Sequence, residues 1–157
     1  MVGGVLGAFA LSVASLSIAA PTASAAPAKL SHSEATAQFE AAGITWSSSG
    51  NCSDRNVPTC TSFEQINENT VAGIIDFKDA TGCDINLTGG TETGHSDGTY
   101  SHWNGYKVDI SPTDCAANYI RSNYTEVNPP GWGSEQWEAP SGNLYTNEDD
   151  HWDILYY

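Results

Sequence analysis

A chain of 157 residues suffices for one domain with one modest hydrophobic core. Its 19 acidic residues against 5 basic ones leave a net charge of −14. That charge excludes nucleic acid and anionic membrane surfaces as natural partners.

The first 26 residues read differently from the rest. Val2 to Ala20 are almost wholly apolar or small, and no Lys or Arg precedes the run. Pro21-Thr-Ala-Ser-Ala-Ala-Pro27 follows, and Ala23-Ser-Ala25 has the small-x-small form of a signal-peptidase site. The alternative is a membrane anchor, but the run is rich in Gly, Ala and Ser and lacks flanking stop-transfer charges. The expectation is a signal peptide over 1–26 and one domain over 27–157. The mature protein is then secreted and extracellular, free of the membrane, and a monomer.

In chain order, Ser31-His-Ser-Glu34 has capping-box form and predicts a helix through Ala42, stopped by Gly43. His32, in its first turn, is expected to be solvated. Ile44 to Thr61 reads as a Ser, Asn and Gly-rich loop. Phe63, Ile66, Thr70, Ile74 and Phe77, widened by Val71 and Ile75, recur at helical spacing and predict the longest helix over Ser62–Ala80, with Gly82 as its stop. Cys83–Thr88 predicts a short strand, and Gly89–Gly98 a loop. Tyr106–Ser111 alternates in polarity as a half-buried strand does, with Lys107 and Asp109 on one face. Ser111-Pro-Thr-Asp114 opens a helix running through Ile120. After a Pro/Gly loop over 128–133, antiparallel strands are expected at 135–138, 143–145 and 151–156. Trp103, Trp132, Trp137 and Trp152 are candidates for a cleft, although aromatic residues in a small β-rich domain are more often core. The fold class is α+β: a small, mainly antiparallel sheet packed against two or three helices.

Four cysteines in an exported chain predict two disulfides. Three pairings are possible; Cys52–Cys60 with Cys83–Cys115 is favoured, the first because it closes a short loop. No Cys-x-x-Cys occurs, which argues against a cysteine zinc site. Asn51, Asn86 and Asn123 each begin an N-glycosylation triplet.

The chemistry concentrates in two stretches, Tyr100-Ser-His-Trp-Asn-Gly-Tyr-Lys-Val-Asp-Ile110 and Glu148-Asp-Asp-His-Trp-Asp-Ile154. If the strands carrying Asp109 and following Glu148 are neighbours, Asp109 and His151 converge, His102 arrives from the preceding loop, and Gly105 permits the sharp approach. Two histidines and a carboxylate suit a zinc site with an open fourth position, and Glu148 is placed to act as base.

The order Ser101-His-x-x-Gly-x-x-x-Asp109 followed by Glu148-x-x-His151 resembles the M15-type zinc peptidases. This is the D-Ala-D-Ala carboxypeptidase and L,D-endopeptidase group, whose fold is shared by the hedgehog signalling domain. The resemblance covers about residues 83–157. It implies one Zn2+ per chain on His102, Asp109 and His151, with Glu148 as the general base that deprotonates the zinc-bound water. It also implies a peptide or muropeptide substrate. Members of the family carry an arginine upstream of the first histidine. Here that region reads Thr88-Gly-Gly-Thr-Glu-Thr-Gly-His95, and His95 is the residue left to polarise a carbonyl or bind substrate. So cation-poor a chain should bind a free D-Ala-D-Ala carboxylate poorly. Two other function classes stay open: a non-catalytic secreted binding domain that keeps zinc for structure, and a disulfide-stabilised secreted protein without metal.

Overall fold

The computed structural model describes residues 1, 3, 4, 26–128, 131 and 133–157. Nearly all of the expected leader, and Trp132 with it, lies outside the described residues. Within them the chain is α+β, and no helix there is long and apolar enough to cross a membrane.

Strand β1 (Lys29–Leu30) leads into helix α1 (His32–Ala41). Ser31 caps α1 reciprocally: its Oγ accepts from the Glu34 amide and its own amide donates to Glu34 Oε2. β2 (Thr45–Trp46) and β3 (Ile66–Asn67) are two-residue pieces on either side of the first disulfide loop. Helix α2 (Glu68–Thr81) ends at Gly82, whose φ of 66° is the left-handed stop expected of a glycine there. β4 (Asn86–Gly89), β5 (Lys107–Ile110), α3 (Asp114–Asn123), β6 (Thr125–Glu126), β7 (Glu135–Glu138), β8 (Leu144–Asn147) and β9 (Trp152–Leu155) complete the chain.

The main sheet has the order β2-β4-β5-β9-β8-β7-β6, and only the β2–β4 pair is parallel. Alternation along β5 and β9 sorts the side chains. Val108 and Ile110, with Trp152 and Ile154, join the core with Phe39, Phe63, Val71, Ile74 and Ile120. Each such fully buried side chain contributes about 1.5–3 kcal/mol. The opposite face carries Lys107, Asp109 and Asp153.

Helix α2 starts six residues later than the spacing predicts. The amides of Ser62, Phe63 and Gln65 donate to Glu92 Oε2, His32 Nδ1 and the Leu30 carbonyl, so they serve tertiary contacts instead of a helix ladder. Gln65 also has a φ of 65°, outside the helical region. Phe63 and Ile66 are core residues all the same, which is why they mimicked a helical stripe. His32 is likewise not a free surface group: it accepts from the Phe63 amide at 3.0 Å and stacks on the Phe63 ring. The third helix begins behind Thr113, whose hydroxyl caps it, so Pro112 lies before the cap and the helix runs on to Asn123. His151 precedes β9 instead of belonging to it. Trp152 is core at 1% exposure, and Trp137 packs against the core half-buried.

Both favoured disulfides are present, Cys52–Cys60 and Cys83–Cys115. The second closes the longer loop, 32 residues, and ties the approach to β4 to the first turn of α3. A loop of that length is worth about 4 kcal/mol through the chain entropy of the unfolded state. Both bridges fit an oxidising compartment.

Candidate metal centre

Two neighbouring strands and two turns build the site. β5 supplies Asp109. Its neighbour β9 pairs with it antiparallel, Asp109 opposite Asp153, so the two carboxylates stand side by side. The turn between β8 and β9 is Glu148-Asp-Asp-His151, closed by the Glu148 amide on the His151 carbonyl and permitted by Asp149 at a φ of 69°. It presents Glu148 and His151 together, their Oε2 and Nε2 atoms 3.5 Å apart. The Ser101–Gly105 turn supplies His102. Gly105 holds a φ of 79°, and a Cβ there would sit 2.6 Å from the Gln65 carbonyl oxygen, so this turn docks on the start of α2 only as glycine. Gly89, opposite Asp109, is equally confined: a Cβ would collide with the Asp109 carboxylate.

Asp109 is the hub. His102 Nε2 lies 3.2 Å from its Oδ1, His151 Nε2 lies 3.7 Å from the same oxygen, and His95 Nδ1 lies 3.7 Å from Oδ2. Each histidine is tied at its other nitrogen. His102 Nδ1 donates to the Gly90 carbonyl at 2.7 Å, His151 Nδ1 to Asp150 at 2.6 Å, and His95 Nε2 to Glu92 at 3.2 Å. In the neutral rings those bonds place every remaining lone pair toward Asp109. Lone pairs facing a carboxylate repel unless a proton or a cation lies between them. Asp109 Oδ1 is itself buried without a hydrogen-bond partner, an arrangement that costs several kcal/mol if nothing compensates the charge.

Without an ion, a proton fills that role. Burial of His102 disfavours its charge, but Asp109 and Asp153 outweigh it and the pKa is pushed up to about 10. Burial of His151 is likewise outweighed, by Asp109, Asp150 and Glu148, and its pKa is raised. Since the folded-state pKa of His102 lies above the usual 6.5, its contribution to stability is full below about pH 6.5 and is lost as pH rises towards about 10. Chelator-treated protein should therefore lose melting temperature over that range, and His102→Gln should flatten the slope. Equal slopes in the two proteins would disprove the pairing.

Imidazole and carboxylate donors gathered in this way could hold a divalent metal ion. Zn–N and Zn–O bonds of about 2.0–2.2 Å put neighbouring ligands of a tetrahedron about 3.4 Å apart. The 3.2 Å and 3.7 Å separations from Asp109 Oδ1 to His102 and His151 bracket that value. A tighter cluster is His95, His102 and Asp109, whose donor atoms all lie within 4.8 Å of one another. Yet the His95 and His102 rings are stacked, centroids 3.8 Å apart and planes 17° from parallel. A metal sits near the plane of each ring that binds it, so two rings stacked in this way do not share one ion. His151, 3.7 Å from Asp109 Oδ1, is the other candidate for third ligand, and His95 stacks on His102 from one side.

Comparison with protein families, curated proteins and solved structures finds no match. The reading therefore rests on the geometry.

A cavity of about 240 Å³ opens over the centre, lined by His95, His102, Lys107, Glu148, His151 and Asp153 among others. A second, of about 230 Å³, adjoins it through Gly94 and His95 and reaches Asp97 and Trp103. Trp103 is 42% exposed, with the Arg55 guanidinium 3.7 Å from its ring centroid. Arg55 donates to the Thr91 and Trp103 carbonyls. Arg121 pairs with Glu135, and Lys78 bonds the Cys83 carbonyl. Lys107 is thus the basic side chain, histidines apart, that the metal-side cavity contains, and it is paired with Asp153.

Three residues of the site were not singled out by sequence. Glu92, 3% exposed, accepts from the Ser62 and Gly90 amides as well as from His95. Burial alone would raise its pKa; these bonds prevail and lower it. One carboxylate thus holds His95 directly and steadies the Gly90 peptide that fixes His102. Asp153 and Lys107 are the others. The two-residue period of β9 placed Asp153 on the His151 face, which was the signal available for it.

Proposed function

We propose that the protein is a secreted zinc-dependent peptidase, hydrolysing a peptide bond in a cell-wall-type or related peptide. One observation carries the reading: His102 and His151 each have one ring nitrogen bound to an acceptor and the other turned to the unpartnered Oδ1 of Asp109. Such carboxylate- or carbonyl-anchored histidines are characteristic of metal ligands. His102, Asp109 and His151 would hold the zinc, leaving a fourth position towards the cavity. Bound there, zinc supplies Lewis acidity, lowering the pKa of a water and polarising a carbonyl.

The chain's own residues supply the rest. Glu148 stands at the cavity rim, its side chain 47% exposed, and takes the proton from the attacking water. His95 gives its Nε2 proton to Glu92, so in the neutral ring Nδ1 is an acceptor. It receives a hydrogen bond from a substrate N–H; donating to a carbonyl would require the imidazolium. The adjoining cavity beyond His95 gives an extended peptide room to continue past the site.

A second reading, a binding domain with structural zinc, is favoured by one feature. Asp153 lies within reach as a fourth protein ligand, and four protein ligands mark a structural site.

Metal analysis of the purified mature protein tests the centre. We expect about one zinc per chain. His102→Ala and His151→Ala should each lose it, whereas His95→Ala should keep it. Wild-type protein without zinc, or loss confined to the His95 variant, would overturn the ligand assignment.

A further inference from the structure

Asp109 and Asp153 stand opposite each other on β5 and β9, and one oxygen of each lies 3.2 Å from His102 Nε2. By distance from His102, Asp153 is as well placed to ligate as Asp109. What separates them is their other partners. Lys107 Nζ holds both oxygens of Asp153, at 2.9 Å to Oδ1 and 3.0 Å to Oδ2. Among the described residues, no lysine or arginine pairs with Asp109. Asp109 faces histidines alone, and its Oδ1 is left without a hydrogen bond. The sheet explains the sorting. Lys107 and Asp109 are two residues apart on one strand and share a face. Asp153 projects from the next strand opposite Asp109, on the diagonal from Lys107 and within reach of its ammonium.

We propose that Lys107 keeps the fourth coordination position open by withholding Asp153 from the metal. The inference rests on the zinc-centre reading above and deepens it: Lys107 decides between a hydrolytic site and a closed one. It is a positioning residue, since it acts through Asp153. The ammonium is compact and its stem flexible, so it reaches both carboxylate oxygens from the cavity side, where its side chain is 27% exposed. Remove the charge and Asp153 loses its only strong cationic partner other than His102. It then turns to the ion, as a fourth protein ligand, and displaces solvent. The same pairing leaves the cavity without a free cation for a substrate carboxylate.

The test uses the full chain loaded with cobalt in place of zinc, with azide as an exogenous ligand. In the wild type, azide should shift the cobalt visible bands, because one position is exchangeable. Lys107→Met should abolish that response and tighten zinc binding by about tenfold or more in competition with a chromophoric chelator, on the scale by which outer partners tune metal sites. Lys107→Arg, which can still hold Asp153, should keep the response. Lys107→Met combined with Asp153→Asn should restore it, which separates ligation by Asp153 from a general change of charge. A merely structural ion pair would give the opposite sign, weaker zinc with azide still bound. Lys107→Met that answers azide like the wild type overturns this inference and leaves the zinc centre standing. Wild-type protein that takes up neither zinc nor cobalt overturns both.

Discussion

Asp109→Asn should cost the protein its metal and all measurable hydrolysis, and should lower the stability of the metal-free fold as well. Three histidines turn a nitrogen toward this one carboxylate, and its Oδ1 has no hydrogen bond of its own. The amide keeps the size of the side chain but removes the anion that draws the ion in. Outer-shell substitutions cost about 10–100-fold in metal affinity, and a direct ligand should cost more than that. The metal-free protein loses a charge pair. The His102 imidazolium keeps only Asp153 as its carboxylate partner, and breaking one side of a buried pair is destabilising. Thermal unfolding with and without zinc reads both effects at once. At zinc 100-fold above its dissociation constant the wild type should gain about 2.7 kcal/mol, and the variant should gain almost nothing. If Asp109→Asn still shows the full zinc shift, Asp109 is not a ligand and the centre has been drawn around the wrong residue.

The site was legible where chemistry and strand period coincide. Asp109 falls between Val108 and Ile110, and the alternation alone turns it away from the core. The Glu148–His151 spacing closes a hairpin turn, so the two candidate side chains emerge together. His102 follows from Gly105, whose positive φ lets the turn press against the start of α2. The two disulfides were legible because so few pairings of four cysteines exist. What remained hidden depends on contacts distant in sequence. Glu92 meets Ser62, thirty residues earlier, and nothing about a lone Glu in a Gly and Thr-rich loop reveals that it will be buried. Lys107 shares a face with Asp109, two residues away on the same strand. The register sets Leu155 opposite Lys107 and Asp153 opposite Asp109, and the ammonium reaches diagonally to Asp153. The stretch from Ser62 to Gln65 misled for the converse reason. Its apolar residues have helical spacing, but its amides are spent on His32, Glu92 and Leu30.

The anchoring bonds also bear on the choice between catalysis and structure. Glu92 and the Gly90 carbonyl hold His95 and His102 from the buried side, whereas Asp150, whose side chain is 88% exposed, holds His151 from solvent. The centre is therefore firm on one wall and open on the other. The open wall is the one that carries Glu148. On the proposed reading that carboxylate is the base, bordering the candidate metal position without a cation of its own. Glu148 has no lysine or arginine partner among the described residues, and the group nearest to it is His151 itself.

Glu148→Gln should accordingly separate binding from turnover. The substitution preserves length, planarity and one acceptor oxygen, so the hairpin turn and its hydrogen bond from the Glu148 amide to the His151 carbonyl stay as they are. Zinc content should remain that of the wild type, because Glu148 lies outside the proposed ligand set. What the amide cannot do is accept a proton at neutral pH. Loss of a positioned general base costs about 10²–10⁴-fold in rate. The fall should appear in kcat with KM little changed, since Glu148 borders the cavity and the residues that line its continuation towards Trp103 are untouched. The assay begins with peptidoglycan fragments containing both L- and D-residues, wild type and variant side by side. Undiminished turnover by the zinc-loaded glutamine variant would remove Glu148 from the mechanism. A wild type that holds its zinc firmly but turns over none of the panel, with azide also failing to reach its cobalt form, would move the protein to the structural reading, with Asp153 the fourth ligand.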